Sequence, residues 1–129
     1  MNSIIISRII KQPFHLLFAV VLCCIACNND ESKLQKLSGH WKLANAEDNE
    51  SPAKDRLEGI FFDFTPTGSF STNFSPTGDA LSGSFLLSGN KVTLQTVEPM
   101  TFNIDALQDS MLQLNTTLQG HVFKIWLSK

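Results

Sequence analysis

The chain has no tyrosine, and its three cysteines, Cys23, Cys24 and Cys27, all fall within the first 27 of 129 residues. Everything after Cys27 is therefore without thiols. Disulfide staples, which domains of this size often use outside the cytoplasm, are excluded there, and so is a zinc site built on thiolates. Stability must come from packing alone. Histidine is scarce as well: beyond Cys27 only His40 and His121 remain. Positive charge is the third shortage. After Cys27 eight Lys and Arg face twelve Asp and Glu, a net charge of −4. Nucleic acid and anionic surfaces need a basic patch, so the composition excludes nucleic acid as a partner. No amphipathic helix of useful length is expected after Cys27.

The one long apolar run is Phe14 to Leu22, preceded by Arg8 and Lys11 and by no acid. It is shorter than the ~20 residues that span a bilayer, and with its basic start it reads as an export signal. Ala26 provides the small residue before the cut. The stretch Cys24-Ile25-Ala26-Cys27 resembles the signal of bacterial lipoproteins, whose final cysteine becomes the acylated N-terminus. Ile25 and Ala26 fit that pattern; Cys24 stands where Leu is usual. The resemblance implies a signal peptide over residues 1–26, lipid attachment at Cys27 and retention at the outer membrane. An uncleaved anchor, or cleavage without lipid, are the alternatives. Residues 27–36 then read as a flexible tether. Its Asp30-Glu31 pair looks like the surface-export tag of Bacteroidota lipoproteins, or is a plain acidic linker.

From Leu37 to Lys129 the apolar residues alternate with a period of two, broken by turn signals. Leu37, Trp41 and Leu43 open the series. Asn45 to Arg56 is polar without a period and reads as a long loop or solvated lid, with one helical turn near Pro52 to Arg56. Ile60, Phe62 and Phe64 then share one face, and Phe70, Thr72 and Phe74 return on it. Between them, Thr65-Pro66-Thr67-Gly68 is a turn in which Gly68 takes the left-handed position. Ser75-Pro76-Thr77-Gly78 repeats it. The strands at Leu81–Leu87, Lys91–Thr96, Met100–Ala106, Met111–Thr116 and His121–Leu127 complete the set. Eight short strands joined by short turns predict an all-β, antiparallel up-and-down meander that closes into a barrel by pairing first with last. A two-sheet sandwich uses the same alternation.

Gly39-His40-Trp41, at the start of the first strand of such a series, resembles the lipocalin signature. In that family the Trp packs across the closed end of the barrel, and an Arg on the last strand lies near it. Here only Lys124 or Lys129 stands where that cation is required, and the long final helix of the family is absent. The resemblance implies a lipocalin-like barrel over residues 37–129 and the binding of small hydrophobic molecules.

No catalytic constellation, metal-ligand set or cofactor motif emerges. His40 and His121 start the first and last strands, which places them at opposite ends of an antiparallel pair, about 20 Å apart. Asp63 points outward, and Glu47, Asp48, Glu50 and Asp55 lie in the polar stretch without calcium-loop spacing. The chain is thus not expected to be an enzyme. The remaining candidate site is the inward face: Trp41, Phe62, Phe64, Phe70, Phe74, Phe85, Phe102 and Phe123. These rings either line a pocket for an apolar ligand or fill a small barrel as core. The other functional expectation is an envelope protein partner, met through the Asn45–Arg56 stretch or through outward Phe61, Leu86 and Trp126. Cys27→Ala is expected to abolish acylation and leave unprocessed precursor; a fatty-acid probe that still labels the variant would overturn the lipid assignment.

Overall fold

The computed structural model describes residues 31–129. The signal-peptide reading of residues 1–26 and the attachment reading of Cys27 lie outside the described residues. The packed unit runs from Lys33 to Lys129.

Residues 31–37 form a short helix, so the far half of the stretch expected to be a flexible tether is ordered. Its residues are good helix formers, and Leu34 and Leu37, three apart, share a face. Both pack on the core, Leu37 completely buried. Ser38 ends the helix: its N–H and its hydroxyl both donate to the Leu34 carbonyl, at 3.0 and 2.7 Å.

Nine strands follow: β1 Gly39–Asp48, β2 Ser51–Pro52, β3 Phe61–Phe64, β4 Ser69–Thr72, β5 Leu81–Ser88, β6 Lys91–Leu94, β7 Met100–Leu107, β8 Met111–Leu118 and β9 His121–Ser128. In the sheet order β2-β1-β3-β4-β5-β6-β7-β8-β9 each strand pairs antiparallel with the next, and β1 also pairs with β9 from Lys42↔Ser128 to Asp48↔Phe123. That pairing closes an eight-stranded barrel and decides against the sandwich. The two-residue β2 is an appendage on the end of β1.

The expected turns form as anticipated. Gly68 and Gly78 sit at φ +94° and +79°, each donating its N–H to the residue three before it, Thr65 or Ser75, at 3.2 Å. The expectation for Asn45 to Arg56 is corrected. Asn45–Asp48 belongs to β1, and only the single helical turn beyond Pro52 matches: Leu57 N–H donates to the Ala53 carbonyl at 3.1 Å. The physical reason is a β-bulge. Leu43 faces Leu127 and Asn45 faces Trp126, so Ala44 is an extra residue and the inward phase flips from Trp41 and Leu43 to Ala46 and Asp48. A period of two counted through the bulge loses the strand. The strand then reverses at Asn49-Glu50, both at positive φ, the geometry of a tight hairpin turn.

Inside, the aromatic residues pack on one another. Phe64 meets Phe85 at 5.1 Å between ring centroids, Phe62 meets Phe102 at 5.5 Å, and Phe74 meets Phe123 at 5.4 Å, all edge to face. Such pairs add about 0.5–1.5 kcal/mol each beyond area burial. Thr72, a fully buried polar residue, is satisfied: its hydroxyl donates to the Phe61 carbonyl at 2.7 Å and accepts the Phe74 N–H at 3.0 Å.

One end of the barrel is sealed by the helix. The Trp41 indole N–H donates to the Leu37 carbonyl at 2.7 Å, and the Lys129 Nζ lies 4.8 Å over the indole while donating to the Lys36 carbonyl at 3.2 Å. Lys129 thus stands where the expected cation was sought. Gly39 is at φ +136°, and a Cβ there would lie 2.8 Å from the Lys129 Cε, so a side chain would drive the lysine off the ring. Trp41→Phe keeps an aromatic ring but strands the buried Leu37 carbonyl. It is expected to cost about 1–3 kcal/mol in urea unfolding; an unchanged midpoint would show that this hydrogen bond does not hold the seal.

Candidate functional site

The opposite end of the barrel is where the connections β1–β3, β4–β5, β6–β7 and β8–β9 gather. There the Phe74 and Phe123 rings form the floor of a cleft of about 350 Å³, bordered by Ile60, Leu118 and Pro76 on its apolar side. Its ionisable lining residues are Asp48, Arg56 and His121. A second cleft of about 290 Å³ lies beside it, lined by Leu81, Val97, Pro99 and Met100 together with Thr77, Thr96 and Glu98. The two share Ser75, Pro76 and Leu118. They are lobes of one mouth.

Asp48 organises the polar side. The bulge turns it inward, and only 7% of the residue is exposed. A buried carboxylate needs partners for both oxygens. His121 Nδ1–H donates to Oδ1 at 2.7 Å, and the Arg56 guanidinium donates to Oδ2 at 3.2 Å. Because an ionised carboxylate only accepts, His121 carries its proton on Nδ1 and turns Nε2 outward. The hydrogen bond from His121, helped by Arg56 and opposed by burial, holds the Asp48 carboxyl below its ordinary 3.8. The imidazole also stacks on Phe123, 6.1 Å between centroids, which joins the polar group to the apolar floor. The partners themselves are half-open to solvent, with 53% of the His121 side chain and 64% of the Arg56 side chain exposed.

No family model and no curated protein matches the chain. Among solved structures, a lipocalin-like protein from Bacteroides uniformis ATCC 8492 superimposes with a TM-score of 0.51 at 20% identity, over 73% of this chain and 98% of that one. The fold is lipocalin-like. The sealed end, with its Gly39-His40-Trp41 start, and the open mouth are the two ends of a lipocalin-like barrel.

The lipocalin-like barrel places the eight expected ligand residues in two groups. Phe74 and Phe123 reach the mouth. Trp41, Phe62, Phe64, Phe70, Phe85 and Phe102 are buried in the core cluster, at most 5% exposed. The histidines sit at opposite ends: His40 pairs with outward Asp63 on the neighbouring strand, near the seal, and stacks on Phe61 at 5.7 Å. Of the outward residues considered for a partner, Leu86 is exposed, while Phe61 and Trp126 are half-buried.

Sequence reading missed the Asp48–His121–Arg56 group, having left Asp48 and Arg56 in a loop and His121 alone at the start of the last strand. The available signal was the first-to-last strand pairing, which brings the end of β1 to the start of β9.

Asp48 also sets an acid dependence. A carboxyl whose folded-state value lies below its unfolded one stabilises the fold above the unfolded value, near 3.8, and that stability is lost as pH falls through the lower folded value. Asp48→Asn should therefore be less stable than wild type at neutral pH, with the gap closing as the pH drops below the folded value. A gap in urea midpoint that stays constant with pH would show that the carboxylate charge is not what the group stabilises.

Proposed function

We propose that this domain is a binding module that takes a small hydrophobic ligand at its open mouth, on a chain held at the bacterial outer membrane by lipid on Cys27. One observation carries the binding reading: at the mouth Phe74 and Phe123 line a solvent-open cleft together with apolar Leu57, Ile60 and Leu118 and with the polar side chains of Asp48, Arg56 and His121. Apolar lining with sparse, placed polar groups is the usual make-up of a small-molecule site. The deeper aromatic residues pack on each other as core, so the ligand sits in the mouth and not down the barrel axis. The anchoring half of the proposal rests on the residues of the export signal and on Ala26-Cys27. Non-enzymatic binding suits a site with one Asp–His pair and, among the described residues, no cysteine or tyrosine.

A second reading has its own observation. Val97, at the tip of the β6–β7 connection, is fully exposed beside the mouth, and a large apolar side chain held in solvent there suits contact with an envelope protein.

An apolar fluorophore titrated into the mature domain separates the two. Saturable enhancement is expected, and Phe123→Ser should weaken it about tenfold, or ~1.4 kcal/mol. Absence of saturable binding would end the ligand reading. Capture of an envelope protein that is lost on Val97→Asp would then favour the partner reading.

A further inference from the structure

The two lobes of the mouth differ in chemistry, and the difference orients what can lie across them. The lobe over Phe74 and Phe123 carries Arg56 and His121; in the other, Glu98 is the one ionisable lining residue, among Leu81, Val97, Pro99 and Met100 and the uncharged Ser75, Thr77 and Thr96. Asp48 itself is not available to a ligand, because it is buried and both its oxygens are taken. Its partners are available. Arg56 spends one of its five N–H donors on Asp48, and the rest of an exposed guanidinium faces out. His121, fixed through Nδ1, turns Nε2 outward, where it accepts from the O–H of an acidic head group or, in the doubly protonated ring, donates to an anion. Asp48 thus acts as a mount, holding one permanent cation, Arg56, and one imidazole, His121, at the same side of the mouth. Glu98 disfavours an anion at the far lobe.

We propose that the mouth binds a single-chain anionic amphiphile. Its head group lies against Arg56 and His121, and its alkyl chain crosses Leu118 and Pro76 into the lobe of Leu81, Val97 and Met100. This deepens the mouth-binding reading and rests on it. The head chemistry is shared by a free carboxylate and by a phosphate, and the direction of the chain follows from the position of Glu98.

The test is competition against a bound apolar fluorophore by dodecanoate, dodecyl phosphate, dodecanol and dodecylamine on the mature domain. Dodecanoate, dodecyl phosphate or both are expected to displace the dye about tenfold more tightly than dodecanol, and their relative strength assigns the head as carboxylate or phosphate. Arg56→Gln should weaken dodecanoate and dodecyl phosphate about tenfold more than it weakens dodecanol or the dye. Arg56→Lys should restore part of the anion preference, and Lys91→Gln, a charge change at the sealed end, should do nothing. Equal affinity for dodecanoate, dodecyl phosphate and dodecanol, or tighter binding of dodecylamine, would overturn the head-group assignment and leave the mouth-binding reading standing. If neither the dye nor any amphiphile binds saturably, both fall. A folding control is the thermal unfolding of each variant; loss of the anion preference in an Arg56→Gln domain that has also lost dye binding would count against the assignment.

Discussion

An eight-stranded barrel encloses a space about one layer of side chains wide, and this chain fills it with phenylalanine. Ring contacts run without a break from Phe85 through Phe64, Phe62, Phe102 and Phe74 to Phe123, each step between 5.1 and 6.1 Å from centroid to centroid. A domain with no disulfide to close its loops needs this burial, at about 1.5–3 kcal/mol for each fully buried ring relative to exposure. The same filling decides where function can sit. A barrel packed along its axis leaves its ends, and one end is already closed by the helix, Trp41 and Lys129.

The two ends are built by different means. At the sealed end the parts are close in sequence apart from Lys129: Leu34, Leu37, Gly39 and Trp41 fold against each other within one turn of helix and the start of a strand. At the mouth the parts come from everywhere. Asp48 ends β1, Arg56 lies in the helical turn beyond β2, and His121 opens β9, 73 positions after Asp48. A polar group assembled in this way depends on the barrel being closed, whereas the seal depends mainly on local chain geometry.

That difference explains what could be read from the residues. Strand number, meander order and inward face were all legible, because each of Phe62, Phe70, Phe85 and Phe102 sits on an unbroken period of two. So were the paired Ser/Thr-Pro-Thr-Gly turns, whose glycines alone fit φ near +90°. The helix at residues 31–37 was hidden by its brevity, which gives too few turns to show a period. The end of β1 was hidden because a bulge reversed its phase and because the inward residues after it, Ala46 and Asp48, are small or charged. Of the mouth, Phe74 and Phe123 were legible as inward aromatics. The Asp48–His121–Arg56 group was not: buried carboxylates are recognised by their partners, and these partners are brought in by pairing that no local pattern records.

The closure of β1 on β9 also governs how the molecule comes to exist. Lys42 pairs with Ser128, so the two edges that seal the cylinder are separated by nearly the whole domain. Contacts of that separation demand most of the loop-closure entropy before they return any stabilisation, which makes them late and slow events in folding. Until they form, the meander is an open sheet with two unpaired margins and its aromatic face in water. Such a species is prone to join other chains edge to edge. The single sealing seam is therefore also the point at which this domain is most exposed to self-association, and the rate at which it zips sets how long that exposure lasts.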